Sequence, residues 1–139
     1  MTSEDTSIRE LMTSPVRTVA RDRTVAHAAE TLCEDGIGSL LVTDTDTDAI
    51  VTKTDLTCAM ASGIDPESTP VRAVMTSPII TASPTATVRE AAERMNDRGI
   101  KRLPVANQSE YIGIVTTTDV VDHVAPGLDD IIGMFAADG

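Results

Sequence analysis

Two short stretches carry the side chains best placed to do chemistry. Thr52-Lys53-Thr54-Asp55 and Thr116-Thr117-Thr118-Asp119 each follow an apolar run, and each sets a hydroxyl three residues ahead of a carboxylate. Where a strand runs into a helix, that spacing puts both groups on the first helical turn. A helix start offers unpaired N–H groups and the positive end of the macrodipole, which suit an anion. The carboxylate can accept a pair of hydroxyls. The same spacing is close to a capping box, which stabilises a helix with no ligand at all. Lys53 and Lys101 are the only lysines of the chain. With Arg102 they are the candidate counter-charges for a phosphate, although as solvated surface charges they need no partner.

Other chemistry finds little support. Asp44-Thr45-Asp46-Thr47-Asp48 begins like a calcium loop with Asp55 in the twelfth place, but Ala49 stands where the loop needs Gly. A solvated hairpin loop is the expected reading, and no metal ligand is assigned. His27 and His123 lack Cys or His partners at ligand spacing. Cys33 and Cys58 are expected to be small buried apolar groups on helices, and Met12, Met60, Met75 and Met95 to be core filler. No Ser/His/Asp or Cys/His arrangement and no Gly-rich phosphate loop is recognisable, so no catalytic residue is assigned.

Composition narrows the partners. The net charge is −11 and aromatics are 1% of the 139 residues, namely Tyr111 and Phe135. A polyanion is repelled by such a surface, and there are no aromatic platforms for bases, so nucleic acid is not an expected partner. Apolar residues, at 41%, suffice for a core of Val, Ile, Leu, Ala and Met. An acidic, Lys-poor chain rich in Thr and Asp suits a high-salt, halophilic cytoplasm. No apolar run is long enough to span a bilayer, and the first residues do not resemble a signal peptide. Cytoplasmic localisation with reduced thiols, away from membranes, is therefore expected.

The elements that position the two stretches come from a duplication. Met12-Thr13-Ser14-Pro15 recurs as Met75-Thr76-Ser77-Pro78. At the same offset Thr24-Val25 matches Thr87-Val88, Ala28-Ala29-Glu30 matches Ala91-Ala92-Glu93, and Gly36-Ile37 matches Gly99-Ile100. Each copy begins with a short lead-in helix stopped by Pro. An extended piece follows, at 16–19 or 79–82. Next comes a helix opened by a Thr cap and closed by Gly36 or Gly99. His27 stands where the second copy has Glu90, so the first cap is expected to be the weaker. Strands over 40–43 and 50–52, or 103–106 and 111–115, form hairpins, and helices over 54–61 and 118–124 end the copies. The unit is β-α-β-β-α, over 8–63 and 71–127, with a tail at 128–139. A sixty-residue unit buries only about 60% of its surface alone, so the two copies are expected to pack as a pair.

These residues resemble the tandem CBS domain, the paired regulatory module named after cystathionine β-synthase. The resemblance rests on Met-Thr-x-x before a short strand and on Thr-Val-x-x-Ala. It also rests on Gly99-Ile100-Lys101-Arg102-Leu103-Pro104-Val105 and on Gly113-Ile114-Val115-Thr116-Thr117-Thr118-Asp119. It implies an α/β (α+β) fold, two CBS repeats as a pseudo-twofold pair with two clefts between the copies. It also implies a binding module, not an enzyme, whose ligand is an adenosine compound: AMP, ADP, ATP or S-adenosylmethionine. By that analogy Thr52 and Thr116 face phosphate, while Asp55 and Asp119 take the ribose hydroxyls. Thr18 and Thr81, with Ile37 to Leu41 and Ile100 to Pro104, line the base. Copy one departs from the pattern. It has Leu41 for Pro104, Ala49 for Gly113 and Gly38-Ser39 for Lys101-Arg102, so its cleft is expected to be weaker or to take another ligand.

The expected function is thus a stand-alone sensor of an adenosine nucleotide, with no obligatory cofactor. A homodimer through exposed helix faces and an unidentified regulated protein are the expected partners. The alternative is a protein–protein interaction scaffold whose clefts bind no nucleotide.

Overall fold

The computed structural model describes residues 5–108 and 110–124. Its helices start and stop where local chemistry requires. Thr24 and Thr87 are extended, and their hydroxyls accept the N–H of His27 and of Glu90, each at 3.1 Å. They open α1 (Val25–Asp35) and α3 (Val88–Arg98), which end on Gly36 and Gly99, both left-handed at φ 63°. Only the second cap is reciprocal: Thr87 N–H donates to the Glu90 carboxylate at 3.4 Å. His27 has no such oxygen, and its Nδ1 lies 2.9 Å from the Arg23 guanidinium.

In the first repeat β1 (Thr18–Ala20), β2 (Ser39–Thr43) and β3 (Ile50–Thr52) lie in the order β1-β2-β3. β1 is parallel to β2, and β2 is antiparallel to β3. α2 (Lys53–Ala61) follows β3 without a loop. In the second repeat β4 (Arg102–Asn107) and β5 (Glu110–Thr116) form an antiparallel hairpin that runs into α4 (Thr117–Val124). There the first extended piece is reduced to one parallel bridge, Ala82 with Val105.

Strand alternation divides each sheet into two faces. In the first repeat Leu40, Val42 and Val51 point to the helices and pack with Val25, Ala28 and Leu32 of α1 and Leu56 of α2. Leu103, Val105 and Val115 are their buried counterparts, with Val88, Ala91 and Met95 on α3. Burial of each such Val, Leu or Met contributes about 1.5–3 kcal/mol over exposure.

Several expectations about single residues are corrected. Cys33 and Cys58 are exposed, not buried, because neither falls on the helix stripe that packs on the core, made by Val25, Ala28 and Leu32 in α1 and Leu56 in α2. Met95 is core, Met12 and Met75 are half-buried, and Met60 is 53% exposed. The tail at 128–139 lies outside the described residues.

The compact units are not the two repeats taken end to end. One unit is Val16–Ile80, and the other joins the described residues up to Pro15 with the described residues from Thr81 on. The lead-in of each repeat packs on the remainder of the other. Ile8–Glu10, a 3-10 turn, is tied down by Ile8 N–H to Ala86 O at 2.9 Å, and Val88 N–H bonds Thr6 O at 2.8 Å. Val71–Ala73, also a 3-10 turn, is held by Val71 N–H to Arg23 O at 2.8 Å and by the Arg72–Asp22 ion pair at 2.6 Å. Thr13 then bridges Ile114, and Thr76 bridges Ile50, each pair exchanging two backbone hydrogen bonds. The lead-ins therefore add a short edge to each sheet. Both end in a cis Ser–Pro peptide.

Candidate ligand site

The two Thr-x-x-Asp stretches fold alike. Thr52 is extended at the end of β3, and its hydroxyl accepts the Asp55 N–H at 3.1 Å, while Thr52 N–H donates to Asp55 Oδ2 at 2.9 Å. Thr116 and Asp119 repeat this with the same two distances, 3.1 and 2.9 Å. Each pair is a complete capping box. The next N–H in each case has a carbonyl acceptor, Lys53 to Gly38 O at 3.1 Å and Thr117 to Lys101 O at 3.0 Å. Three N–H groups at each helix start are thus satisfied by protein.

What remains for a ligand is specific. Each Thr hydroxyl accepts from backbone and still holds a hydrogen to donate. Each carboxylate has one oxygen committed to the cap. The other differs between repeats: Asp55 Oδ1 accepts the Thr76 hydroxyl at 3.2 Å. Asp119 Oδ1 has no hydrogen bond among the described residues.

Strand register gathers the other site residues on the sheet face opposite the helices. Thr18 is opposite Leu41, Leu41 opposite Ile50, and Ser39 opposite Thr52. In the second repeat Arg102 is opposite Thr116 and Pro104 opposite Ile114. Thr81 precedes the Ala82 bridge, whose N–H bonds Pro104 O at 2.9 Å, so it falls beside Pro104. Directly paired residues share a face, so Arg102 and Thr116 are neighbours there, and Ser39 takes the place of Arg102 in the first repeat. Leu41 and Pro104 are both fully buried.

Four expected site residues lie on the helix side instead. Ile37 packs on the first core. Lys53 lines an apolar groove of about 590 Å³ between α1 and α2, with Ala29, Cys33, Leu56, Met60 and Pro66. Ile100 and Lys101 line its counterpart of about 420 Å³ between α3 and α4. The structure therefore brings Arg102, not Lys101, beside the second hydroxyl–carboxylate pair. Thr76 is the residue the sequence reading missed. Its signal was present in the repeated Met-Thr-Ser-Pro, but nothing local says that this Thr returns to Asp55.

Among the described residues no cluster of His, Cys, Asp and Glu is arranged to hold a metal ion, and no helix is long and apolar enough to cross a membrane.

A family model described as CBS domain matches residues 8–62 and 71–126. The chain is 33% identical over 119 residues to an uncharacterised protein of Methanopyrus kandleri, covering 83% of this chain and 61% of that protein's length, less than two thirds. It is 28% identical over 116 residues to the CBS domain-containing protein YhcV of Bacillus subtilis, covering 82% of each. Among solved structures it is similar to a hexameric CBS-CP12 protein from bloom-forming cyanobacteria. The TM-score is 0.79 at 27% identity, over 96% of this chain and 83% of that one. A CBS-domain containing protein from Agrobacterium tumefaciens gives a TM-score of 0.75 at 29% identity, over 84% of this chain and 98% of that one.

Proposed function

The chain belongs to the CBS-domain family, and from that footing we propose that it is a regulatory module sensing AMP, ADP, ATP or S-adenosylmethionine at its Thr-x-x-Asp junctions. CBS-domain pairs are commonly regulatory and ligand-binding, and adenosine compounds are the ligands they generally take. The observation that carries the reading is Asp119. One of its oxygens holds the helix cap, the other has no partner among the described residues, and Arg102 stands opposite Thr116 on the same sheet face. A ribose diol meets that oxygen, and a phosphate meets the Thr116 hydroxyl and the Arg102 guanidinium. Asp55 and Thr52 form the equivalent site, without the arginine. Proteins made only of CBS domains are typically regulatory and non-catalytic, which supports a sensor.

Oligomerisation belongs to the same reading. Family members oligomerise, and one similar structure is hexameric. The apolar grooves beside α1 and α3, with the exposed Met60, suit a homodimer in which helix faces cover each other. A ligand then shifts packing only by its differential affinity for two arrangements.

A thermal-shift screen of AMP, ADP, ATP and S-adenosylmethionine in concentrated KCl tests the sensor. A ligand at a hundredfold excess over Kd stabilises by about 2.7 kcal/mol, which raises the Tm by several degrees. A Tm unmoved by all four favours the scaffold alternative, in which both Thr-x-x-Asp pairs serve only as caps.

A further inference from the structure

The two Thr-x-x-Asp sites are superficially identical, yet the chain treats their carboxylates differently. Asp55 has both oxygens engaged: Oδ2 by Thr52 N–H at 2.9 Å and Oδ1 by the Thr76 hydroxyl at 3.2 Å. Asp119 has only the first of these bonds among the described residues, Oδ2 to Thr116 N–H at 2.9 Å. The residue matching Thr76 is Thr13, and the backbone places it alike. Thr13 exchanges N–H···O bonds with Ile114 as Thr76 does with Ile50. The difference is therefore in the side chain, not in the path of the strand.

A neutral hydroxyl that donates to a carboxylate oxygen is the interaction one hydroxyl of a vicinal diol would make. We propose that Thr76 is an internal stand-in for a ligand hydroxyl at Asp55, and that it widens the affinity difference already made by the absence of an arginine there. A nucleotide entering at Asp55 has to displace the Thr76 hydroxyl or share its oxygen, whereas one entering at Asp119 finds the oxygen open. The second site fills first, and the first fills at higher ligand concentration. Thr76 is thus a specificity-determining residue, brought to the site by the exchanged lead-in. The inference rests on the nucleotide reading of Asp55 and Asp119.

The test is calorimetric titration of the full chain with AMP in concentrated KCl. Asp119→Asn keeps an acceptor for Thr116 N–H and removes the carboxylate, so binding in that background reports on Asp55. There Thr76→Val and Thr76→Ala are expected to tighten AMP about three- to tenfold, the range set by the net worth of one hydrogen bond. Thr76→Ser keeps the hydroxyl and should bind like the parent. The side chain of Thr76 is exposed and its backbone bridge is untouched, and either substitution suffices if the other fails to fold. A 2′,3′-dideoxy AMP, which has no diol, should show no gain. Equal or weaker AMP binding by both variants overturns the proposal while leaving nucleotide binding intact. An equal gain with the dideoxy compound also overturns it. AMP binding unchanged in Asp55→Asn, Asp119→Asn and the double variant removes the underlying site reading, and the proposal with it.

Discussion

Met12 lies directly over Gly113. A Cβ added to Gly113 would come within 2.8 Å of Met12 Cγ, and nearer still to its sulfur. Met12 belongs to the lead-in of the first repeat and Gly113 to β5 of the second, so this close approach exists because the lead-ins are exchanged. Ala49 occupies the matching place in the first repeat, where Met75 packs against the core.

Gly113→Ala is therefore expected to overpack this contact and to cost about 1–3 kcal/mol. Met12→Ala in the same chain should recover part of that loss, giving a non-additive double-mutant cycle by chemical denaturation. Additive losses would mean that the two residues do not share the contact.

The capping difference predicts unequal responses at equivalent positions. Thr87→Ala removes a hydroxyl that accepts the Glu90 N–H and is expected to cost about 1 kcal/mol, with an added loss from the freed Glu90. Thr24→Ala removes a single bond and should cost less. His27→Glu supplies the missing carboxylate beside the positive helix end and should stabilise by about 0.5 kcal/mol. Thermal melts of the three variants decide it, and a neutral or negative His27→Glu would contradict the account.

Much of this is legible in the sequence. The helix starts at Thr24, Thr52, Thr87 and Thr116 and the stops at Gly36 and Gly99 are decided within a few residues, by side chains that bond their own backbone. The hairpins follow from alternation. The exchange of lead-ins was not legible, because Met12 and Met75 stand in the same local sequence and only tertiary packing chooses their partners. The sequence also grouped Lys101 with Arg102, but β4 begins at Arg102, which pairs with Thr116, while Lys101 lines the groove between α3 and α4. The exposure of Cys33 and Cys58 likewise depends on which helix face is left uncovered, which their residue type does not tell.

The groove between α1 and α2 gives a prediction about association. Met60 is 53% exposed at its rim. Met60→Glu places a charge where apolar side chains would meet a second copy, and it should weaken the proposed dimer about tenfold or more in sedimentation equilibrium while leaving the monomer folded. Association unchanged by this substitution would exclude that groove from the contact.

Asp119 is a cap and, in the proposed reading, a ligand group as well, and the Asp119→Asn variant separates the roles. Its amide oxygen retains the bond from Thr116 N–H, so the unliganded Tm should fall by no more than a few degrees, whereas Asp119→Ala loses the cap and about 1 kcal/mol. Calorimetric titration of wild type and Asp119→Asn with AMP and ATP in concentrated KCl is the most direct measurement. Saturable binding to the wild type and loss of the tighter class of sites in Asp119→Asn are the expected results. Binding of equal strength in the two proteins would contradict the ligand role of Asp119.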